Sequence, residues 1–202
     1  MRRRTAAFIL IISLFMCCSD NRGTIEDANK AYDSGDYQTA YRLYKPLAER
    51  GDARAQFNLG MMYEIGRGVP QNYAEMLKWY RKAADQGHAL AQFNVGLQYS
   101  KGRGVPRDYA EGVKWFRKAA DQGDVDAMGN LGYMYLNGLG VPRDNVLAHM
   151  WSNLAASRFP ASEPKKRQIA EGNMDIAATK MTPTQIAEAQ KLAREWKPKK
   201  EK

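Results

Sequence analysis

Cysteine is almost missing from this chain. Of 202 residues only Cys17 and Cys18 are cysteines, and they are neighbours. Adjacent cysteines cannot cross-link separate parts of a fold, and no Cys-x-x-Cys pair exists. A disulfide framework and a cysteine-rich zinc site are therefore excluded. Histidine is equally scarce: His88 and His149 are too few for a histidine metal centre. The apolar run at residues 6–16 is shorter than the roughly 20 residues that span a bilayer comfortably. No Gly-x-Ser-x-Gly, His-Glu-x-x-His, P-loop or dinucleotide fingerprint occurs. The Gly-x-Gly pairs follow helical patterns rather than strands and lack a third glycine. Most carboxylates have capping or exposed-helix positions. No catalytic residue, metal or cofactor is expected. What remains is globular in composition, 44% hydrophobic and 26% charged, which argues against a wholly disordered chain.

Arg2, Arg3 and Arg4 precede the apolar residues 6–16. A basic head before a short apolar run reads as a secretory leader over residues 1–19, with an uncleaved anchor as the alternative. Two fates stand open at its end. Leu14, three residues before Cys17, resembles a bacterial lipoprotein cleavage site, which makes Cys17 or Cys18 the lipidation candidate. Phe15 and Met16 depart from the small residues such a site prefers. Cleavage before Asp20 instead puts Cys17 and Ser19 at the two small-residue positions and releases a soluble exported chain. The expected location is the periplasm or the exterior, or a lipid-anchored place in the cell envelope. Any membrane association runs through the leader or a lipid.

Lysine and arginine outnumber acidic residues 31 to 22, for a formal charge of +9. The excess does not form one face. Residues 19–50 sum to −1, 51–158 to +3 and 159–202 to +4. The most basic piece is the tail, residues 197–202, which reads as a solvated end. An exported protein with dispersed charge is not expected to bind nucleic acid.

The chain repeats itself with a period of 36 residues. Residues 53–88 and 89–124 align without a gap and match at 24 of 36 positions, and residues 125–158 continue the register. Gly60, Gly96 and Gly132 correspond, as do Tyr63, Tyr99 and Tyr135, and Trp79, Trp115 and Trp151. The run Gly66-x-Gly68-Val69-Pro70 returns at Gly102 and again at Gly138. Residues 20–52 hold a shortened unit without that run, in which Asp36-Tyr37 corresponds to Asn72-Tyr73.

Each unit reads as two helices. In the first, Ala55, Leu59, Met62 and Tyr63 make an apolar stripe. Gly60 lies inside that helix, where glycine costs about 1 kcal/mol against alanine, so its recurrence predicts a close helix crossing. Gly66 and Gly68 end the helix and Pro70 prevents its continuation. Asn72 and Asp108, each with a glutamate three residues on, start the second helix in a pattern close to a capping box. Met76, Trp79, Tyr80 and Ala83 form its buried stripe. Asp52, His88 and Asp124 stand at helix starts, so His88 reads as a cap.

The third unit departs from this pattern. Lys78 and Lys114 give way to Met150, and Lys82 and Lys118 to Leu154. A solvated face becomes an apolar strip that needs a cover. The expected cover is a helical cap at residues 159–196. Its first part has helical periodicity through Ile169, Met174 and Ile176. Its second begins at Thr182-Pro183-Thr184-Gln185 and carries Ile186, Ala189, Leu192, Ala193 and Trp196 on one face. His149, in place of Leu77 and Val113, reads as a half-buried junction residue.

The run Ala-Gln-x-Asn-x-Gly-x-x-Tyr, Gly-x-Gly-Val-Pro, Trp-Tyr-Arg-Lys-Ala-Ala-Asp-Gln-Gly resembles the Sel1-like repeat, a relative of the tetratricopeptide repeat. The resemblance implies an all-α fold: a right-handed α/α superhelix in which each unit buries its face on the next. It further implies a scaffold for protein contacts, with the first helices lining the concave face. Carrying the tetratricopeptide groove positions across points to Arg54, Phe57, Asn58 and Met61 in the first full unit. The second supplies Leu90, Phe93, Asn94 and Leu97, and the third Asp126, Gly129, Asn130 and Tyr133. The phenylalanines either floor a groove or fill space between units. The asparagines either bind a peptide backbone or bind neighbouring loops. Some Sel1-like proteins with cysteine pairs in each repeat are linked to β-lactam chemistry; this chain lacks those cysteines. The functional expectation is an exported envelope scaffold with a protein or peptide partner, adaptor or regulatory in role. The alternatives are a structural lipoprotein of a polysaccharide-export or assembly machine, and a cell-wall-acting enzyme.

Overall fold

Helix boundaries in this protein follow the caps written into the repeat. A computed structural model describes residues 23–199. The expected leader, Cys17 and Cys18, and the last three residues of the basic tail lie outside the described residues. The helices are α1 (Ile25–Asp33), α2 (Tyr37–Glu49), α3 (Ala53–Ile65), α4 (Tyr73–Asp85), α5 (Ala89–Lys101), α6 (Tyr109–Asp121), α7 (Val125–Asn137), α8 (Asn145–Arg158), α9 (Pro164–Ala178) and α10 (Pro183–Glu195). The described residues contain no strand.

The starts expected from the repeat have their donor–acceptor pairs, while α9 begins at Pro164 without a side-chain cap. Asp52 accepts from the Ala55 amide at 2.9 Å, and Asp124 from Ala127 at 2.7 Å. His88 Nδ1 accepts from the Ala91 amide at 3.2 Å, so this imidazole is a helix cap. Asn72 and Asp108 cap α4 and α6, but the reciprocal half of a capping box is not formed there. Glu75 pairs with Lys78 at 3.0 Å, and Glu111 with Lys114 at 2.9 Å. Glu111 also accepts from Trp115 Nε1 at 3.1 Å. A complete capping box does form at Thr182 and Gln185. The helix ends at Gly66, Gly102 and Gly138 are left-handed, with φ of 78°, 68° and 68°, a conformation that favours glycine.

Helices pair within units, and the second helix of each unit packs on the first of the next. This alternation makes a continuous solenoid of four helix pairs, each burying its apolar face against a neighbour. The glycine crossings are as close as the repeat implies. A Cβ on Gly60 would lie 2.6 Å from the Tyr80 ring, and one on Gly96 2.7 Å from Phe116. Two glutamines tie units together. Gln92 donates to the Ala84 carbonyl of the preceding pair at 3.1 Å and accepts from Gln122 at 2.8 Å. Gln56 does the same with Ala48 at 3.0 Å and Gln86 at 2.7 Å. Met128 takes this place in the third unit, fully buried.

The strip on α8 is covered. Met150 and Leu154 are 8% and 2% exposed, and both α9 and α10 pack on α8. Trp196 meets Trp151 edge to face at 6.2 Å, with the Arg158 guanidinium 4.9 Å from the Trp196 ring centre. On α10, Ala189 and Ala193 are the buried residues, while Ile186, Leu192 and Trp196 are half-buried. On α9 the expected stripe is displaced. Ala170 and Ala177 are buried, whereas Ile169 and Ile176 are 65% and 49% exposed. Small side chains seat this helix closely against α8, and the isoleucines one position away turn outward. His149 is buried rather than half-buried, at 4% exposure. Burial pushes its imidazole pKa down, opposed by the charge of Asp175. Part of the basic tail is not free: the Lys199 ammonium donates to Asp121 at 2.6 Å.

Candidate functional site

The face expected to bind lies on α3, α5 and α7, at the same positions of successive units. Phe57 and Phe93 turn out to face two ways. The Phe57 ring stacks on His88 at 4.7 Å and tilts against Tyr80 at 5.5 Å. Phe93 lies 5.9 Å from Phe116. Both are half-buried, so each ring packs on one side and keeps part of its surface outside. Phe57 thereby reaches the start of the next helix pair, whereas Phe93 packs on the second helix of its own pair. Met61 and Leu97 are half-buried beside them. Leu90 and Tyr133 project, at 52% and 47% exposure.

The asparagines are placed differently from one another. Asn58 donates to Asn29 Oδ1 at 3.3 Å, and that oxygen also accepts from the Tyr44 hydroxyl at 2.6 Å. Burial raises the Tyr44 phenol to about 12, so it stays a donor at neutral pH. Asn130 donates to the Asp126 carbonyl of its own helix at 2.8 Å. Asn94 is half-buried between them in sequence. Arg54 is exposed, 3.9 Å from Glu26. Asp126 pairs with Lys166 of α9 at 2.9 Å, and Lys166 also holds Glu163 at 2.7 Å. The Glu163 and Asp126 carboxylates push the Lys166 amine pKa up.

At the third unit the phenylalanine position is Gly129, and a cavity of about 200 Å³ opens there between α7 and α9. Phe159 and Ala170 lie at its base, and Tyr133 and Ile169 stand at its sides. Sequence reasoning placed Gly129 and Tyr133 on this face but missed Phe159, Lys166 and Ile169. The loss of a phenylalanine at 129 was visible in the repeat. The docking of α9 beside it was not. Among the described residues, no group of three or more His, Cys, Asp or Glu side chains is placed to hold a metal ion. None of the described helices is long and apolar enough to cross a membrane.

The Sel1 repeat profile matches residues 22–52, 53–88, 89–124 and 125–158. Two solved structures are similar over most of this chain. One is a protective antigen present in uropathogenic Escherichia coli strains, described as displaying an SLR fold. It is 32% identical, with a TM-score of 0.69, over 85% of this chain and 40% of its own. The other is a Sel1 repeat protein from Oxalobacter formigenes, also 32% identical, with a TM-score of 0.66, over 84% of this chain and 75% of its own. A shorter match is to mouse DAP3-binding cell death enhancer 1, 36% identical over 44 residues, which is 22% of this chain and 9% of that protein. The chain thus spans about a tenth of that relative and two fifths of the antigen. Repeat spacing, caps, helix pairing and these likenesses agree that the chain belongs to the Sel1 repeat family.

Proposed function

We propose that this protein is a non-catalytic scaffold of the bacterial cell envelope, exported by its leader, that binds a protein partner through the first-helix face. One observation carries the reading. Leu90, Tyr133 and the outer edges of Phe57 and Phe93 lie along the first-helix face of the solenoid, interleaved with amides and few charges. Apolar contact area with scattered hydrogen-bonding groups suits a peptide or protein surface. The adaptor or regulatory role belongs to the same reading. A second reading, a structural envelope lipoprotein of an export or assembly machine, is favoured by Cys17 and Cys18 at the end of the leader.

The test is cross-linked capture from envelope extract, comparing the protein with a Leu90→Asp, Tyr133→Ala variant. Both side chains are about half exposed, so the variant keeps its fold. A specific partner lost from the variant supports the scaffold reading. Failure to capture any partner across independent extracts refutes it. Mass spectrometry of the mature N-terminus separates the two readings: a lipidated cysteine favours the lipoprotein, and an unmodified Asp20 favours the soluble exported chain.

A further inference from the structure

Packing enforces glycine at Gly60 and Gly96, but not at Gly129. A Cβ on Gly129 would meet nothing closer than Ala155 at 3.8 Å and the Phe159 ring at 3.9 Å. These are ordinary van der Waals distances. Helix propensity also opposes glycine inside α7. The equivalent residues of the two preceding units are Phe57, whose ring stacks on His88 at the start of the next helix pair, and Phe93, whose ring packs on Phe116 within its own pair. In the third unit that ring is missing; the Phe159 ring packs over Gly129, and a cavity of about 200 Å³ is left beside it. An apolar cavity of about 150 Å³ accommodates benzene, so one aromatic ring fits.

The surroundings constrain the guest. Phe159 is buried at the base, while Tyr133 and Ile169 leave 47% and 65% of their surface free to fold over a ligand. At the mouth, Lys166 is shared by Asp126 and Glu163, so two carboxylates meet one amine. One negative charge is left over, and it complements a cation beside the guest.

We infer that this cavity is an anchor pocket for one phenylalanine side chain of a protein partner, presented next to a basic residue. The partner completes in trans the packing that Phe57 and Phe93 complete within the chain. This deepens the scaffold reading and rests on it.

The test uses short capped peptides and amide chemical shifts of the isotope-labelled protein. Acetyl-Lys-Phe-Lys-amide should shift Gly129, Asn130, Tyr133 and Ile169 saturably. Replacing its phenylalanine by alanine should weaken binding by at least about tenfold, the factor that burying one large apolar side chain supplies. Acetyl-Glu-Phe-Glu-amide should bind more weakly than the lysine peptide. Gly129→Phe, which installs the ring of the other units, should abolish the shifts while the melting temperature holds. If that variant melts early, Gly129→Leu and the surface change Tyr133→Ala serve in its place, each expected to lose most of the binding. No saturable shift, equal binding of the alanine peptide, or full binding by the filled variants overturns the pocket. The capture experiment keeps the two readings apart. A partner held equally by parent and Gly129→Phe leaves the scaffold standing and sinks the pocket. Peptide binding lost on filling, without any captured partner, leaves the pocket and sinks the scaffold.

Discussion

Glycine to alanine should have opposite effects at two helix-interior positions of the same fold. At Gly96 the added methyl would sit 2.7 Å from Phe116 Cδ1 and 3.1 Å from the Gly112 carbonyl oxygen. Carbon atoms pack best at about 3.5–4.0 Å, so the contact is repulsive. Phe116 has 0% exposure, and the carbonyl is backbone. Overpacking of this kind costs about 1–3 kcal/mol, against a helix-propensity gain of about 1 kcal/mol. The expected net is a loss of up to about 2 kcal/mol. At Gly129 the methyl meets contacts of 3.8–3.9 Å only, so the propensity gain of about 0.5–1 kcal/mol survives. For a chain of this size, 1 kcal/mol moves the midpoint by about 2–4 °C. Gly96→Ala should therefore melt a few degrees lower and Gly129→Ala about 2 °C higher, followed by far-ultraviolet circular dichroism. Equal shifts of the same sign would refute the reasoning, because propensity alone would then govern both sites.

Two further changes probe the capped end. Met150→Asp with Leu154→Asp places carboxylates where the side chains are 8% and 2% exposed, and should cost more than about 3 kcal/mol. Amide hydrogen exchange should accelerate through α9 and α10; unchanged protection there would contradict the packing described. His149→Leu tests the buried imidazole. Its pKa is lowered by burial, so below about pH 6.5 the unfolded chain takes up a proton that the folded chain refuses. That contribution to stability is present above about pH 6.5 and is lost as pH falls through the window down to the lowered folded value. Leucine occupies the equivalent position as Leu77, and the variant should show a smaller drop in melting temperature between about pH 7.5 and pH 5.5. His88 is shifted in the same direction by burial and preserves part of the slope. An undiminished slope would mean that His149 titrates freely.

The helices were legible because their signals are local. Asp52, Asn72 and Thr182 cap within three residues of themselves, and Gly66 and Pro70 stop a helix by their own backbone geometry. The repeat then added long-range information, since equivalent residues must pack alike. That is how Gly60 announced a close crossing before any partner was known. The apolar strip at Met150 and Leu154 was readable as a break in the repeat, and it required a cover. Where no repeat supplied a template, in α9, periodicity chose the large isoleucines and the fold chose the alanines. A helix laid close against α8 is limited by side-chain size, which a count of apolar positions does not weigh.

The candidate site divides along the same line. The amino-acid sequence by itself determined the helix pairs, their register, the face on which Leu90, Asn94 and Tyr133 stand, and the exchange of phenylalanine for Gly129. Tertiary structure alone decided that Phe57 leans on His88, that Lys166 reaches Asp126 across 40 residues, and that α9 walls the gap left at Gly129. Caps and turns are fixed by neighbours along the chain. A cavity exists only between surfaces brought together from distant parts of it, and its shape is set by what each leaves unfilled.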